Sequence, residues 1–241
     1  MTVLLETKDL SKKFAGLVAN QDIRFRLEAG SIRCVIGPNG AGKTTFISMI
    51  SGHLSPTEGR IIYKDQDVTD LSVISRARIG IARKFQTPTV FDNLTAYQNI
   101  ELAVMGTSCP RPKRRGRIFE VLDLIRLSDL WDRPVRFLSH GQRQWLEVGL
   151  LIAIEAELLL LDEPTAGMTA EETASTARLV QMLSREFKLS VIIIEHDINF
   201  IRDLRAPVTV LHLGRVLLEG SFDEVAANDQ VREVYLGHET G

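Results

Sequence analysis

The sequence has few cysteines, no signal-peptide core and no long uninterrupted apolar run. Its 241 residues include only two cysteines, Cys34 and Cys109, which give no disulfide framework and fit a reducing cytosol. The N-terminal stretch MTVLLETKDL lacks the apolar core of a secretory signal. The most apolar region, 149–161, is interrupted by Glu155 and Glu157, which excludes a membrane span there. If this protein serves a membrane, we expect it to do so from the cytoplasmic side.

No charge of one sign dominates the chain either. It has 29 basic and 31 acidic residues and a formal net charge of -2, so its composition gives no indication of nucleic-acid binding. The segment 107–117, TSCPRPKRRGR, is locally basic and contains no acidic residue. A solvated loop is the favoured interpretation of this segment. Attraction to anionic lipid, and then to nucleic acid, are the alternatives.

The most specific motif is the string GPNGAGKTT. It meets the pattern G-x-x-x-x-G-K-[ST] at Gly37, Gly42, Lys43 and Thr44, between a predicted strand and a predicted helix. Glycines let backbone N–H groups converge on phosphate oxygens, and the helix that follows adds its positive end. We expect Lys43 to reach the β- and γ-phosphates and Thr44 to bind Mg²⁺. The predicted nucleotide-binding residues of this loop are Gly37, Pro38, Asn39, Gly40, Ala41, Gly42, Lys43, Thr44 and Thr45.

Two carboxylates and a histidine end apolar runs further along the chain. Asp162 and Glu163 follow four leucines, at the carboxyl end of a predicted strand, where open α/β sheets bind ligands. Asp162 is predicted to complete the metal site begun by Thr44. Glu163 points differently, because strand residues alternate, and is the candidate base that orients the attacking water. His196 ends the next run, where an imidazole N–H can stabilise developing charge. An ordinary strand end and a satisfied polar histidine are the alternatives.

The string LSHGQ predicts the start of a helix. Ser139 and Gln142 form a capping box, which leaves a positive helix N-terminus that can bind phosphate. Because the chain already has one phosphate site, we expect Ser139 and Gly141 to contact the nucleotide of a partner subunit. An ordinary helix cap is the alternative. The predicted residues of this second site are Ser139, His140, Gly141 and Gln142.

The hydrophobic periodicity predicts an α/β fold. Short apolar runs at 158–162 and 191–196 are typical of parallel strands buried on both faces, and 208–219 is typical of a hairpin. Capping boxes predict further helices after Thr169 and Ser221. Residues 3–10 and 22–27 are predicted as short strands, and the second alternates apolar and polar residues.

Together these motifs resemble those of the ATP-binding subunits of ABC transporters, over essentially the whole chain. The family's order is complete: phosphate loop, glutamine loop, signature LSHGQ, metal-site strand, catalytic glutamate and switch histidine. The resemblance implies ATP and Mg²⁺ as ligands. It also implies that Gln86 acts in catalysis and metal binding and that Phe14, in SKKFAG, stacks on adenine. Spacing alone gives no role to Gln86, and a core phenylalanine is the alternative for Phe14.

The same resemblance divides the chain into two parts, a core made of two segments and a helical lobe. A P-loop ATPase core with a mostly parallel sheet and an antiparallel β subdomain is predicted over residues 1–86 and 158–241. A helical lobe that carries the signature is predicted over 87–157, where apolar residues recur at helical spacing.

Two positions depart from the family pattern. His140 stands where most members have glycine, which adds bulk at the expected subunit seam. It can either pack there or donate a proton to the opposite phosphate. Thr169 stands where the family usually has aspartate, so a cross-dimer contact of that aspartate is not carried over to this chain.

The resemblance implies the ATPase of a bacterial-type importer, peripheral on the cytoplasmic face of the inner membrane. Two such chains, identical or homologous, are expected to clamp two Mg·ATP. Two integral membrane permeases and a periplasmic substrate-binding protein complete the expected complex, with coupling after Gln86. The alternative is a superfamily member that acts on DNA or ribosomes, which generally carries coiled coils or a second cassette. No nucleic-acid partner is expected.

Three stretches bear on the cargo. Residues 83–91, 138–149 and 163–173 look more similar to the ATPases of urea importers than to those of branched-chain amino-acid importers. The first stretch lies at the expected permease-coupling surface, so it reports the cargo only through the permease. The resemblance implies urea or a short-chain amide as cargo, with a branched-chain or other hydrophobic amino acid as the alternative.

Overall fold

The computed structural model describes residues 2–84, 90–107 and 109–236. The strands are β1 (Val3–Phe14), β2 (Leu17–Glu28), β3 (Ile32–Ile36), β4 (Glu58–Tyr63), β5 (Gln66–Asp67), β6 (Ile81–Lys84), β7 (Leu158–Asp162), β8 (Ser190–Ile194), β9 (Val208–His212) and β10 (Arg215–Gly220). The helices are α1 (Lys43–Ser51), α2 (Val73–Arg78), α3 (Ala96–Met105), α4 (Arg111–Leu124), α5 (His140–Ala153), α6 (Ala170–Phe187), α7 (Ile198–Leu204), α8 (Phe222–Ala227) and α9 (Asp229–Leu236).

These strands form two sheets. The first is antiparallel, with the order β2-β1-β4-β5, and the second has the order β10-β9-β3-β8-β7-β6. All neighbours in the second sheet run parallel except β10, which returns from β9 as the predicted hairpin. The predicted α/β class is therefore confirmed. No helix in the described ranges is both long and apolar enough to cross a membrane.

The central strands separate two apolar clusters. Along β7, Leu159 and Leu161 pack into a cluster with helices α3 to α7, whereas Leu158 and Leu160 pack with α1 and the antiparallel sheet. Because side chains alternate along a strand, Asp162 belongs to the same face as Leu158 and Leu160. The fold thus directs this carboxylate toward the helix that follows the phosphate loop.

The first two strands are longer than their apolar alternation predicts. Strand β1 continues to Phe14 and β2 begins at Leu17, and the pairing between them has register irregularities. Asp9 and Asp22 adopt positive φ angles of 49° and 51° at these irregularities. Each irregularity shifts the alternation of side chains, so the period-two pattern breaks although the strand continues.

Local helix signals are reproduced by the structure. Helix α1 ends at Gly52, which adopts the left-handed conformation with φ 83°. Three predicted capping boxes form, at Ser139 with Gln142, at Thr169 with Glu172 and at Ser221 with Glu224.

The basic segment predicted as a loop is instead mostly the start of a helix. Helix α4 begins at Arg111, with Pro112 in its first turn. Proline is tolerated there because the first N–H groups of a helix have no intrahelical partner. Arg117 donates to Glu120 Oε2 at 2.9 Å and to the Ile152 carbonyl at 3.1 Å, so part of the positive charge is used within the chain.

A buried arginine, Arg76, links the end of α1 to the segment around α2 through hydrogen bonds. Arg76 is 1% exposed. Its guanidinium donates to the carbonyls of Met49 and Ile50 at 2.6 and 2.7 Å, and to those of Thr69 and Leu71 at 2.7 and 3.1 Å. It therefore supplies donors to carbonyls in the last turn of α1, where the Met49 carbonyl also accepts from the Gly52 N–H at 3.2 Å.

We expect Arg76→Met to lower the free energy of unfolding by about 3 kcal/mol, because the buried carbonyls lose their donors. Urea denaturation followed by circular dichroism measures this loss. Arg78→Met, an exposed arginine of the same helix, is the matched control and should change stability by less than about 0.5 kcal/mol. Equal stabilities of the two variants would contradict this role for Arg76.

Candidate active site

The phosphate loop follows β3 directly and requires glycine at two positions. A Cβ on Gly37 would lie 2.2 Å from the Leu211 carbonyl oxygen, and one on Gly42 would lie 2.4 Å from the Ala19 carbonyl oxygen. Both glycines also have φ angles that other residues rarely adopt, +151° and +95°. Because neighbouring backbone atoms lie so close, only glycine fits at these two positions. Asn39, Gly40 and Thr44 are exposed, Pro38, Gly42 and Thr45 are half-buried, and Gly37, Ala41 and Lys43 are buried.

The Lys43 side chain forms hydrogen bonds with the backbone of the phosphate loop. It is buried, and Nζ donates to the carbonyls of Gly37 at 2.6 Å and Pro38 at 3.0 Å. Burial lowers the pKa of Lys43, whereas the negative charges of Glu163 and Asp162 raise it. The structure thus brings the predicted phosphate-binding cation close to both predicted carboxylates.

Asp162 is a buried carboxylate with one oxygen unpaired. It is 2% exposed, and Oδ2 accepts a bond from Arg83 at 3.0 Å while Oδ1 is buried without a hydrogen-bond partner. Burial raises the pKa of Asp162 and the Arg83 guanidinium opposes this rise. An open carboxylate oxygen near the hydroxyl-bearing start of α1 fits a hard divalent cation such as Mg²⁺. Among the described residues no group of three or more histidine, cysteine or acidic side chains could hold a metal alone.

Glu163 and His196 face each other across the ends of β7 and β8. His196 Nε2 lies 2.5 Å from Glu163 Oε1. The Glu163 backbone N–H donates to the Ile194 carbonyl at 2.9 Å, and the residue adopts a left-handed φ of 50°. A non-glycine residue in this conformation carries strain, which is common at functional sites. Both side chains are partly exposed and can contact a ligand.

The signature segment contacts the loop after Glu163 in the same chain. Ser139 and His140 are exposed and Gly141 is buried. His140 Nε2 lies 2.9 Å from the Ala166 carbonyl oxygen, and the Gly141 N–H donates to Glu172 Oε1 at 3.3 Å. The imidazole that replaces the usual glycine thus has a partner within its own subunit.

Thr169, the other position that departs from the family pattern, caps a helix. Thr169 is the N-cap of α6 and its hydroxyl accepts from the Glu172 N–H at 3.3 Å. Threonine therefore caps the helix as aspartate would.

Phe14 is 40% exposed at the end of β1, with Lys12 Nζ 5.1 Å from its ring centroid. The ring is thus available to a ligand instead of lying in the core. Gln86 lies outside the described residues.

Glu195, which precedes His196, has no role predicted from its sequence context. Glu195 is only 3% exposed, and its carboxylate accepts bonds from Thr165 and from the His196 backbone. An acidic residue directly after the apolar run 191–194 is unusual enough to be noticed in the sequence. Thr165 lies thirty residues earlier, and only the fold reveals this contact.

A strand, a glycine-rich loop and a helix around a buried lysine, with carboxylates at neighbouring strand ends, define a P-loop ATPase. The family model described as ABC transporter matches residues 20–166. A second model, described as Branched-chain amino acid ATP-binding cassette transporter, matches residues 215–240. The chain therefore belongs to the ATP-binding subunits of ABC transporters, which are ATPases.

Individual relatives agree with this family. The chain is 34% identical to the "Probable branched-chain amino acid transport ATP-binding protein LivG" of Archaeoglobus fulgidus, over 97% of this chain and 95% of the relative. It is also 34% identical to the lipopolysaccharide export system ATP-binding protein LptB of Acidithiobacillus ferridurans, over 98% of both chains. Among solved structures, the ADP conformation of MJ1267, an ATP-binding cassette of an ABC transporter, superposes with a TM-score of 0.89 at 26% identity. That match covers 98% of this chain and 100% of MJ1267.

The predicted family and ATPase activity are thus confirmed. The urea cargo implied by three sequence stretches is not supported by these similarities, which favour the branched-chain alternative.

Proposed function

We propose that this chain is the ATP-hydrolysing subunit of an importer for branched-chain or other hydrophobic amino acids. The observation that carries the cargo is the match of residues 215–240 to the branched-chain cassette model. The general family match ends at residue 166, and a lipopolysaccharide exporter subunit is as similar overall as the branched-chain relative. The C-terminal match is therefore more specific than overall identity.

In the proposed reaction, water attacks the γ-phosphorus of ATP and yields ADP and phosphate. Glu163 orients the water and accepts its proton. Lys43 leaves the Gly37 and Pro38 carbonyls to bind the β- and γ-phosphates, and His196 donates from Nε2 to the γ-phosphate oxygens. Bound Mg²⁺, held by Thr44, Asp162 and Gln86, would neutralise phosphate charge. The 2.5 Å separation of His196 Nε2 and Glu163 Oε1 supports their joint action around the γ-phosphate.

The proposed active unit contains two ATPase subunits, identical or homologous. Ser139, His140, Gly141 and Gln142 of one subunit would contact the nucleotide bound to the phosphate loop of the other. The exposure of Ser139 and His140 and the capped N-terminus of α5 support this arrangement. Phe14 would stack on adenine from the same subunit as the phosphate loop.

We further propose that residues 87–157 form a lobe that moves against the core over 1–86 and 158–241 when nucleotide binds. Two permease subunits in the membrane, contacted after Gln86, would place the ATPase at the cytoplasmic face. A periplasmic binding protein would deliver cargo to the permeases. No nucleic acid takes part.

The cargo is tested by reconstituting the complete complex in vesicles and measuring ATP hydrolysis with saturating leucine or urea. We expect leucine-loaded binding protein to raise the rate and urea to leave it at the basal level. The complex with Glu163→Gln controls for contaminating ATPases, and omission of the binding protein controls for direct effects of leucine. Stimulation by urea alone would overturn the proposed cargo and leave the ATPase assignment intact.

A further inference from the structure

The buried carboxylate of Glu195 joins two loops of the active site. Oε1 accepts from the Thr165 N–H at 2.9 Å and from the Thr165 hydroxyl. Oε2 accepts from the His196 N–H at 2.8 Å and from the Asp197 N–H at 3.4 Å. One oxygen therefore holds the loop that follows Glu163, and the other holds the backbone that carries His196.

An ionised carboxylate suits this position better than any other side chain. Four donors converge on it, and only a carboxylate offers acceptors on both sides without a donor of its own. Hydrogen bonds to an ionised acceptor are also shorter and stronger than those between neutral groups. Glutamine has nearly the same volume, but whichever way its amide turns, an NH₂ group faces backbone N–H donors. Its substitution therefore releases one of the two loops.

The geometry leads us to propose that Glu195 is a positioning residue for ATP hydrolysis. By holding Thr165 and the His196 backbone on one carboxylate, it fixes the separation between Glu163 and His196. In this role Glu195 does not contact the reacting phosphate. It acts through Glu163 and His196, which do. The inference rests on the proposed roles of Glu163 and His196.

The first test compares Glu195→Gln with the wild-type full-length subunit. We expect kcat to fall about 10- to 100-fold, as for other residues that orient catalytic groups, while the KM for ATP changes less than about threefold. Glu219→Gln is the matched control, because Glu219 accepts from the Thr209 hydroxyl at 2.7 Å in the β9–β10 hairpin, away from the strand ends that carry the site. It should leave kcat unchanged.

A double-mutant cycle separates positioning from general stability. If Glu195 acts through His196, Glu195→Gln should cost much less in a His196→Ala background than in the wild type. An equal loss in both backgrounds would indicate a role independent of His196 and overturn the inference. If Glu195→Gln does not fold, Thr165→Val takes its place in the same double-mutant cycle, because it removes only the hydrogen bond from the Thr165 hydroxyl.

The outcomes also separate this inference from the proposed function. Wild-type kcat in Glu195→Gln, with turnover lost in Glu163→Gln and His196→Ala, would overturn the positioning role alone. Normal turnover in Glu163→Gln and His196→Ala would overturn the proposed reaction, and the positioning role with it.

Discussion

Replacing Glu163 with glutamine should reduce ATP turnover by about 10²- to 10⁴-fold while ATP still binds. The amide keeps the volume of the side chain and a hydrogen bond to water, but it cannot accept the proton. Neither the phosphate loop nor Lys43 is altered, so the affinity for ATP should change little. Phosphate release measures turnover, and titration with a fluorescent ATP analogue measures binding.

The same variant should accumulate as a dimer in ATP and Mg²⁺, because closure precedes the step that is blocked. Size-exclusion chromatography with and without nucleotide detects this shift. Glu186→Gln, an exposed residue near the end of α6, makes the same change of charge and should behave as the wild type. Hydrolysis by Glu163→Gln at the control rate would refute the assignment of the base.

Features that depend on neighbours in sequence were predictable. The capping box of Ser139 and Gln142 requires only two side chains three residues apart, and its helix begins where predicted. Asp162 and Glu163 could be placed at a strand end, because four leucines before them need burial on both faces. Parallel strands then bring their carboxyl ends to one edge, which explains why His196 and Glu163 meet.

Features that depend on long-range contacts were not predictable. Arg76 is buried because carbonyls at the end of α1 need donors, and no local pattern distinguishes it from the exposed Arg78. The Glu195 carboxylate contacts Thr165 because β7 and β8 are paired. The urea cargo implied by residues 83–91 is not shown by the comparisons with known proteins, and this stretch is expected to recognise a permease and not the transported molecule.

The second large effect should come from Lys43→Ala. The wild-type ammonium is the buried cation of the phosphate loop, and a charge-assisted hydrogen bond contributes about 1.5–3 kcal/mol. Its loss should therefore weaken ATP binding about 10- to 150-fold, with a further fall in turnover as charge develops on the γ-phosphate.

Lys43→Ala should also lower the melting temperature without nucleotide, because the Gly37 and Pro38 carbonyls lose the donor that now bridges them. This second effect distinguishes a lysine that organises the phosphate loop without nucleotide from one that acts only on bound phosphate. Calorimetric titration with ATP and thermal denaturation measure the two effects separately. Lys64→Ala, which removes a surface ion pair with Glu157, is the control and should change neither. Wild-type affinity in Lys43→Ala would contradict phosphate binding by this lysine. An unchanged melting temperature would instead show that the phosphate loop keeps its shape without the two lysine hydrogen bonds.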